Sequence, residues 1–157
     1  MDIFVLPKQS FDAYLTKENV DDENVENYPL MFISINDSEG RFSQSHFKRE
    51  HPNVLILHFD DVSKDGEPSP TNDKNTRAFN DEDADRIIEF IQKNEDKVGV
   101  LIHCAAGISR SGAVGQFLVN YFEEDMDEFF RQNYRVIPNA HILSKLNSRM
   151  WSEKFKK

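Results

Sequence analysis

The segment from residue 98 to residue 122 constrains the fold of this chain more than any other. Apolar residues crowd positions 98–102, which predicts a buried strand, and apolar residues recur at helical spacing over 113–122. The short loop between them holds Cys104 and Arg110. A loop that leads into the first turn of a helix presents backbone N–H groups and the positive end of the helix dipole. We therefore expect a strand, an anion-binding loop and a helix in succession.

The rest of the chain predicts further strands and helices. Three apolar runs have the length of a strand: 3–6, 30–35 and 54–59. Helical spacing or capping residues mark five segments, the second of them a single turn: 11–16, 44–49, 81–94, 126–133 and 139–155. We expect Ser10 to cap the first of these and Asn80 or Asp81 to cap the third. An apolar stripe at i, i+3, i+4 and i+7 marks the third helix: Ala84, Ile87, Ile88 and Ile91. This order predicts an α/β fold in which helices flank a mixed, mainly parallel central sheet, in one domain over residues 1–157.

The residue types in the loop suit the transfer of a phosphoryl group. A thiol becomes a strong nucleophile when it ionises, which a helix N-terminus, converging amides and a guanidinium all favour, so we expect Cys104 to react as a thiolate. Arg110 offers a planar fork that binds two phosphate oxygens at once. Ser111 brings a hydroxyl that can hydrogen-bond the sulfur and help it leave. Gly107 permits a positive φ or a close backbone approach, and we expect the His103 ring to orient the loop.

Residues 103–111, HCAAGISRS, follow the order HCxxGxSRS, the signature of cysteine-dependent phosphatases. Here the chain resembles the dual-specificity branch of the protein tyrosine phosphatase superfamily, and residues 134–146, YRVIPNAHILSKL, resemble a later segment of that family. The resemblance implies a phosphatase that hydrolyses phosphomonoesters on proteins through a phosphocysteine intermediate, without a metal or organic cofactor. It also implies that Asn139 braces the loop. The residues implied to bind phosphate are Ala105, Ala106, Gly107, Ile108, Ser109 and Arg110.

The resemblance further implies a general acid, an aspartate on the loop after the strand that precedes the signature strand. Asp61 aligns with that position at the end of the run LHFDD, and Asp60 stands beside it. Asp73 lies 31 positions before Cys104, a spacing close to that common in the family. The loop over 62–79 is longer and richer in Pro, Asp and Asn than is usual there. Asp61 is therefore the preferred acid, and Asp60 and Asp73 stay open as alternatives.

The charge of the chain and the residue types of the loop favour some classes of partner and substrate over others. The chain has 28 Asp and Glu against 19 Lys and Arg, a net charge of −9, which disfavours nucleic acid and anionic membranes. Ala105, Ala106 and Ile108 bring no positive charge to the loop, which favours a phosphoprotein over a phosphoinositide. We rank phosphotyrosine before phosphoserine and phosphothreonine. A single cysteine, the absence of any apolar run near ~18 residues and the absence of a basic start predict a cytoplasmic, reducing location.

Two other classes of protein carry a similar loop. One is a pseudophosphatase that binds phosphate without turnover, and the presence of Cys104, Arg110 and Ser111 argues against it. The other is a thiol oxidoreductase or sulfurtransferase such as an arsenate reductase, which shares the Cys-to-Arg spacing. Those reductases normally use resolving cysteines, and this chain has one cysteine in all. The sequence therefore favours the phosphatase.

Overall fold

A computed structural model of the protein describes residues 1–72 and 75–155. The strands are β1 (Asp2–Pro7), β2 (Leu30–Asn36), β3 (Val54–His58) and β4 (Gly99–Cys104). The helices are α1 (Lys8–Lys17), α2 (Asp81–Gln92), α3 (Arg110–Tyr121), α4 (Met126–Gln132) and α5 (Ala140–Met150), with short 3₁₀ turns at Val25–Asn27 and Glu153–Phe155. The α/β class and the strand, loop and helix over 98–122 are confirmed.

The four strands form one sheet in the order β1-β4-β2-β3, and every neighbouring pair is parallel. The expected sheet was mixed and mainly parallel; in the described residues it is parallel throughout. Parallel strands bring their carboxyl ends to one edge of a sheet, which is where such folds bind ligands. The segments after β2, β3 and β4 therefore meet at that edge.

Side chains bind some of the outward-facing backbone groups of both edge strands. Asn133 donates to the carbonyl of Ile3 (3.0 Å) and accepts from the N–H of Val5 (2.8 Å) along β1. Glu50 accepts from the N–H of Ile56 (2.9 Å) along β3. These contacts occupy backbone groups that would otherwise offer a template for a further strand. Polar side chains thus occupy part of each edge of the sheet.

Helices cover both faces of the sheet. The predicted stripe of α2 is confirmed, since all four of its apolar side chains are fully buried against the sheet. Asn80 caps this helix: its side chain accepts from the N–H of Asp83 (2.9 Å), whose carboxylate accepts from the N–H of Asn80 (3.0 Å). On the other face, Phe11 of α1 is fully buried and packs edge-on against Phe32 of β2. Each of the buried Ile and Phe side chains contributes about 1.5–3 kcal/mol.

Three sequence expectations about local structure are wrong. Residues 44–49 form no helical turn, because the backbone N–H groups of Lys48 and Arg49 bind the carboxylate of Asp22 instead. Helix α1 begins at Lys8 directly after Pro7, so Ser10 lies within the helix and does not cap it. Helix α5 ends at Met150 rather than at residue 155. In the part of the chain that the structure describes, no helix combines the length and apolar character needed to cross a membrane.

Candidate active site

The loop between β4 and α3 is pressed against the end of β1. Gly107 has φ +70°, and a Cβ at this position would lie 2.4 Å from the backbone nitrogen of Pro7. The N–H of Lys8 donates to the carbonyl of Ala105 (3.2 Å). A residue with a side chain at 107 would both strain the backbone and push the loop off β1. The loop shape therefore depends on this glycine.

Cys104 ends β4 at the floor of a cavity of about 190 Å³. Its Sγ lies 3.0 Å from the Oγ of Ser111, in the first turn of α3. The other lining residues come from the loop and from the segment after β3: Asp61, Pro70, Thr71, Ala105, Ala106, Ile108, Ser109 and Arg110. The structure thus brings the predicted nucleophile and the preferred acid to one cavity, with the Ser111 hydroxyl buried behind the sulfur.

His103 faces away from this chemistry. Its Nδ1 lies 3.3 Å from the carbonyl oxygen of Cys104, which can only accept, so Nδ1 carries the proton and Nε2 accepts from the hydroxyl of Ser34 (2.6 Å). Burial, aided by the positive charges of Lys8 and Arg110, lowers the pKa of His103 to about 3. The ring is neutral at pH 7 and holds the end of β4 against β2.

Arg110 is anchored at one end of its guanidinium. Its Nη1 donates to Asp37 Oδ1 (2.8 Å) and to the carbonyl of Phe59 (2.8 Å), which uses both protons of that nitrogen. Across residues 1–72 and 75–155, the N–H groups on Nε and Nη2 bind no protein atom. These three N–H groups form a planar fork beside Cys104 that matches two oxygens of a phosphate.

Sequence reasoning missed Asp37. It lies 73 positions before Arg110, and 1 % of its side chain is exposed. Its position directly after β2 could have identified Asp37 as a site residue, because a polar residue at the carboxyl end of a parallel strand lies at the ligand-binding edge of the sheet. Thr71 was missed as well; it reaches Asp37 from the loop after β3 and lines the cavity.

Asp61 is held beside the loop by two donors. Its Oδ1 accepts from the hydroxyl of Ser109 (3.0 Å) and from the side-chain amide of Asn139 (2.8 Å). The backbone N–H of Asn139 also donates to the carbonyl of Ser109 (3.0 Å), and its side-chain oxygen caps α5 by accepting from Ile142 (3.1 Å). Asn139 thereby ties α5, the loop and Asp61 together.

Asp60 points into the protein rather than into the cavity. Its carboxylate accepts from the Ser38 hydroxyl and backbone, from the Asn72 side chain (3.2 Å) and from the N–H of Arg77 (2.8 Å). Burial raises the pKa of Asp60, but these hydrogen bonds outweigh it and hold the pKa below its usual value. An ionised, fully bonded carboxylate suits an anchor for Asn72 and Arg77 of the following loop and argues against a general acid. Asp73 lies outside the described residues.

No protein-family model matches the sequence, and no curated protein sequence matches it either. Solved structures match the fold. The PTP-2 phosphatase of Cydia pomonella aligns over 94% of this chain and 85% of its own, with a TM-score of 0.53 and 21% sequence identity. Human tyrosine phosphatase-like serine/threonine/tyrosine-interacting protein aligns over 93% of this chain and 89% of its own, with a TM-score of 0.52 and 21% identity. The chain therefore has the protein tyrosine phosphatase fold, as the resemblance of its loop implied.

Proposed function

We propose that this protein is a cysteine-dependent phosphatase that hydrolyses phosphomonoesters on phosphorylated proteins. One observation carries the proposal: Cys104, Arg110 and Asp61 line a single cavity, and the buried Ser111 hydroxyl lies 3.0 Å from the Cys104 sulfur. The loop backbone and the N-terminus of the 12-residue helix α3 add positive potential at the same place. A nucleophile, an anion site and an acid in one cavity are the parts that phosphoryl transfer needs.

The first step transfers the phosphoryl group to sulfur. The Cys104 thiolate attacks phosphorus, an S–P bond forms, and the P–O bond to the leaving group breaks. Asp61 gives its proton to the leaving oxygen as that bond breaks. Nε and Nη2 of Arg110 hold two non-bridging oxygens, whose charge grows during transfer. The products are the dephosphorylated substrate and a phosphocysteine.

The second step releases phosphate. Water attacks phosphorus on the side opposite the sulfur, and the Asp61 carboxylate takes the proton that the water loses. The S–P bond breaks and its electron pair returns to sulfur as a thiolate. A hydrogen bond from the Ser111 hydroxyl to this sulfur stabilises the leaving thiolate. The enzyme returns to its starting state with Asp61 protonated, and inorganic phosphate leaves.

Phosphotyrosine is the preferred substrate in this proposal. The loop has no basic side chain at 105, 106 or 108, and the cavity wall carries Asp61. An inositol polyphosphate would place further phosphates near the Asp61 carboxyl, and no basic side chain of the loop would neutralise them. A phosphotyrosine presents one phosphate on a long, rigid ring. Phosphoserine and phosphothreonine rank second, and a phosphoinositide ranks third.

A phosphate-binding protein without turnover is the second candidate. One structural neighbour bears the name of a phosphatase-like interacting protein. Cys104, Arg110 and Ser111 together in one site favour turnover over binding alone. We also propose a reducing cellular compartment, because the single cysteine must stay reduced to act as the nucleophile.

Turnover by the wild type and by Cys104→Ser tests the proposal. Hydrolysis of p-nitrophenyl phosphate by the wild type, insensitive to EDTA and lost in Cys104→Ser, is the expected result. Tight binding of a phosphotyrosyl peptide by the wild type without any hydrolysis would establish the binding protein instead. A comparison of kcat/KM for a phosphotyrosyl peptide, a phosphothreonyl peptide and a soluble phosphoinositide tests the ranking, and a tenfold preference for the lipid headgroup would overturn it.

A further inference from the structure

We propose that Thr71, on the loop after β3, is a positioning residue that controls the phosphate affinity of the site by fixing Arg110 through Asp37. The inference rests on the proposed function and deepens it. It assigns to the described loop residues next to Thr71 a part in binding the phosphate, in addition to forming a wall of the cavity. Pro70 and Thr71 supply that wall.

The contact chain runs through the two oxygens of one carboxylate. The Thr71 hydroxyl donates to Asp37 Oδ2 (2.6 Å), and Asp37 Oδ1 accepts from Nη1 of Arg110 (2.8 Å). Only 1 % of the Asp37 side chain and 4 % of the Arg110 side chain are exposed, so water screens this pair weakly. The hydroxyl thus acts on the ion pair at close range in a buried setting.

Asp37 needs an external contact to fix its orientation. The terminal torsion of an aspartate is broad, so its rotamer alone does not fix where each oxygen points. With Oδ2 held by Thr71, Oδ1 stays in line with Nη1. The Phe59 carbonyl accepts the second proton of that nitrogen, and both protons lie in the plane of the guanidinium. Two fixed acceptors set the plane, and the plane decides where the Nε and Nη2 fork of Arg110 points.

The loop is itself anchored where Thr71 stands. The neighbouring residue Asn72 donates from its side chain to Asp60 Oδ1 (3.2 Å) and to the Ser38 hydroxyl (3.2 Å). The N–H of Ser69 donates to the carbonyl of Asn72 (2.8 Å), which closes a tight turn around Thr71. Adjacent loop residues therefore bind the buried carboxylates that follow β2 and β3. The position of this turn and the orientation of Arg110 are linked.

Two substitutions of Thr71 separate positioning from wall shape. Thr71→Val keeps the side-chain shape and loses the donor, whereas Thr71→Ser keeps the donor and loses a methyl group. The measurement is the inhibition constant of inorganic phosphate against p-nitrophenyl phosphate hydrolysis, with calorimetric phosphate binding as a readout that needs no turnover. We expect Thr71→Val to weaken phosphate binding by about tenfold to 150-fold, the range of one hydrogen bond to a charged group. We expect Thr71→Ser to stay within about twofold of the wild type.

Thr76→Val is the matched control within the same loop. The Thr76 hydroxyl donates to the carbonyl of Glu67, away from Asp37, so its loss should leave phosphate affinity within about twofold. Thermal melting of every variant checks folding. In an Asp37→Ala background, Thr71→Val should cause no further loss, because the contact chain is already cut.

Three results would overturn the proposal: unchanged affinity in Thr71→Val, equal loss in Thr71→Ser, or equal loss in Thr76→Val. An additive loss in the double variant would also contradict it. If Asp37→Ala does not fold, the comparison of Thr71→Val with Thr71→Ser still tests whether the Thr71 hydroxyl controls phosphate affinity. Absence of turnover in the wild type would refute the proposed function alone, since calorimetry of phosphate binding would still test Thr71.

Discussion

Removal of the Asp37 carboxylate should destabilise the whole protein as well as the site. In Asp37→Ala, Arg110 keeps its charge with only 4 % of its side chain exposed, and it loses its ionic partner at 2.8 Å. Breaking a buried pair in this way costs about 3–5 kcal/mol, because a largely buried charge remains without its ionic partner. For a chain of this length each kcal/mol lowers Tm by roughly 2–4 °C, so Tm should fall by roughly 6–20 °C.

Differential scanning calorimetry and urea unfolding measure this loss. The matched control is Lys145→Gln, which breaks the pair between Lys145 and Asp81 (3.0 Å), whose side chains are 30 % and 60 % exposed. That exposed pair should contribute at most about 1 kcal/mol. Inorganic phosphate should raise the Tm of Asp37→Ala, since a bound dianion supplies the missing negative charge and ligands stabilise the state that binds them. A loss below about 1 kcal/mol in Asp37→Ala would refute the buried-pair argument.

Four further predictions concern catalysis and pH. Cys104→Ser should abolish hydrolysis of p-nitrophenyl phosphate and keep phosphate binding, and residual activity above a few per cent would contradict the mechanism. Arg110→Lys should lower kcat/KM by about 10²–10⁴, because the fork is lost while the charge remains; near-normal kinetics would show that Arg110 does not contact the phosphate. Asp61→Asn should slow a phosphotyrosyl peptide far more than p-nitrophenyl phosphate, whose leaving group needs little protonation, and the same contrast in Asp60→Asn instead would reverse the assignment. Burial keeps His103 neutral in the folded state, so between about pH 6.5 and about 3 the unfolded chain binds one more proton than the folded chain. The free energy of unfolding should therefore fall as the pH is lowered through that range. His103→Asn should reduce this pH dependence in urea unfolding, and an unchanged dependence would contradict a buried neutral ring.

Residues close together in the sequence were sufficient to predict the loop after β4 and the strand and helices around it. The spacing of apolar residues over 98–122 and over 81–94 was sufficient to predict a strand and two helices. Side-chain periodicity and helix caps both depend on residues only a few positions apart, so a short stretch of sequence contains the whole signal. Asn80 and Asp83 form a cap whose partners stand three positions apart. Cys104 and Arg110, the proposed nucleophile and phosphate-binding residue, are likewise six positions apart in one loop, so the sequence alone was sufficient to pair them.

Features that depend on contacts between distant segments of the chain could not be predicted from the sequence. Residues 48 and 49 give their N–H groups to Asp22, 26 and 27 positions earlier, which replaced an expected helical turn with an irregular loop. Asp60 and Asp61 are adjacent and identical in type, yet one is bonded into the loop and the other lines the cavity. Alternation along an extended chain turns neighbouring side chains to opposite sides, and only the packed loops show which side is the site.

The partner of the arginine depended most fully on tertiary structure. Asp37 lies 73 positions from Arg110, and no local period links them. They meet because the strand order β1-β4-β2-β3 places β2 beside β4 with both carboxyl ends at one edge of the sheet. By itself the sequence determined the loop between β4 and α3, because the residues that define it follow one another directly in the chain. The tertiary structure decided which carboxylates surround it, because strand order is set by packing of the whole core rather than by any short segment.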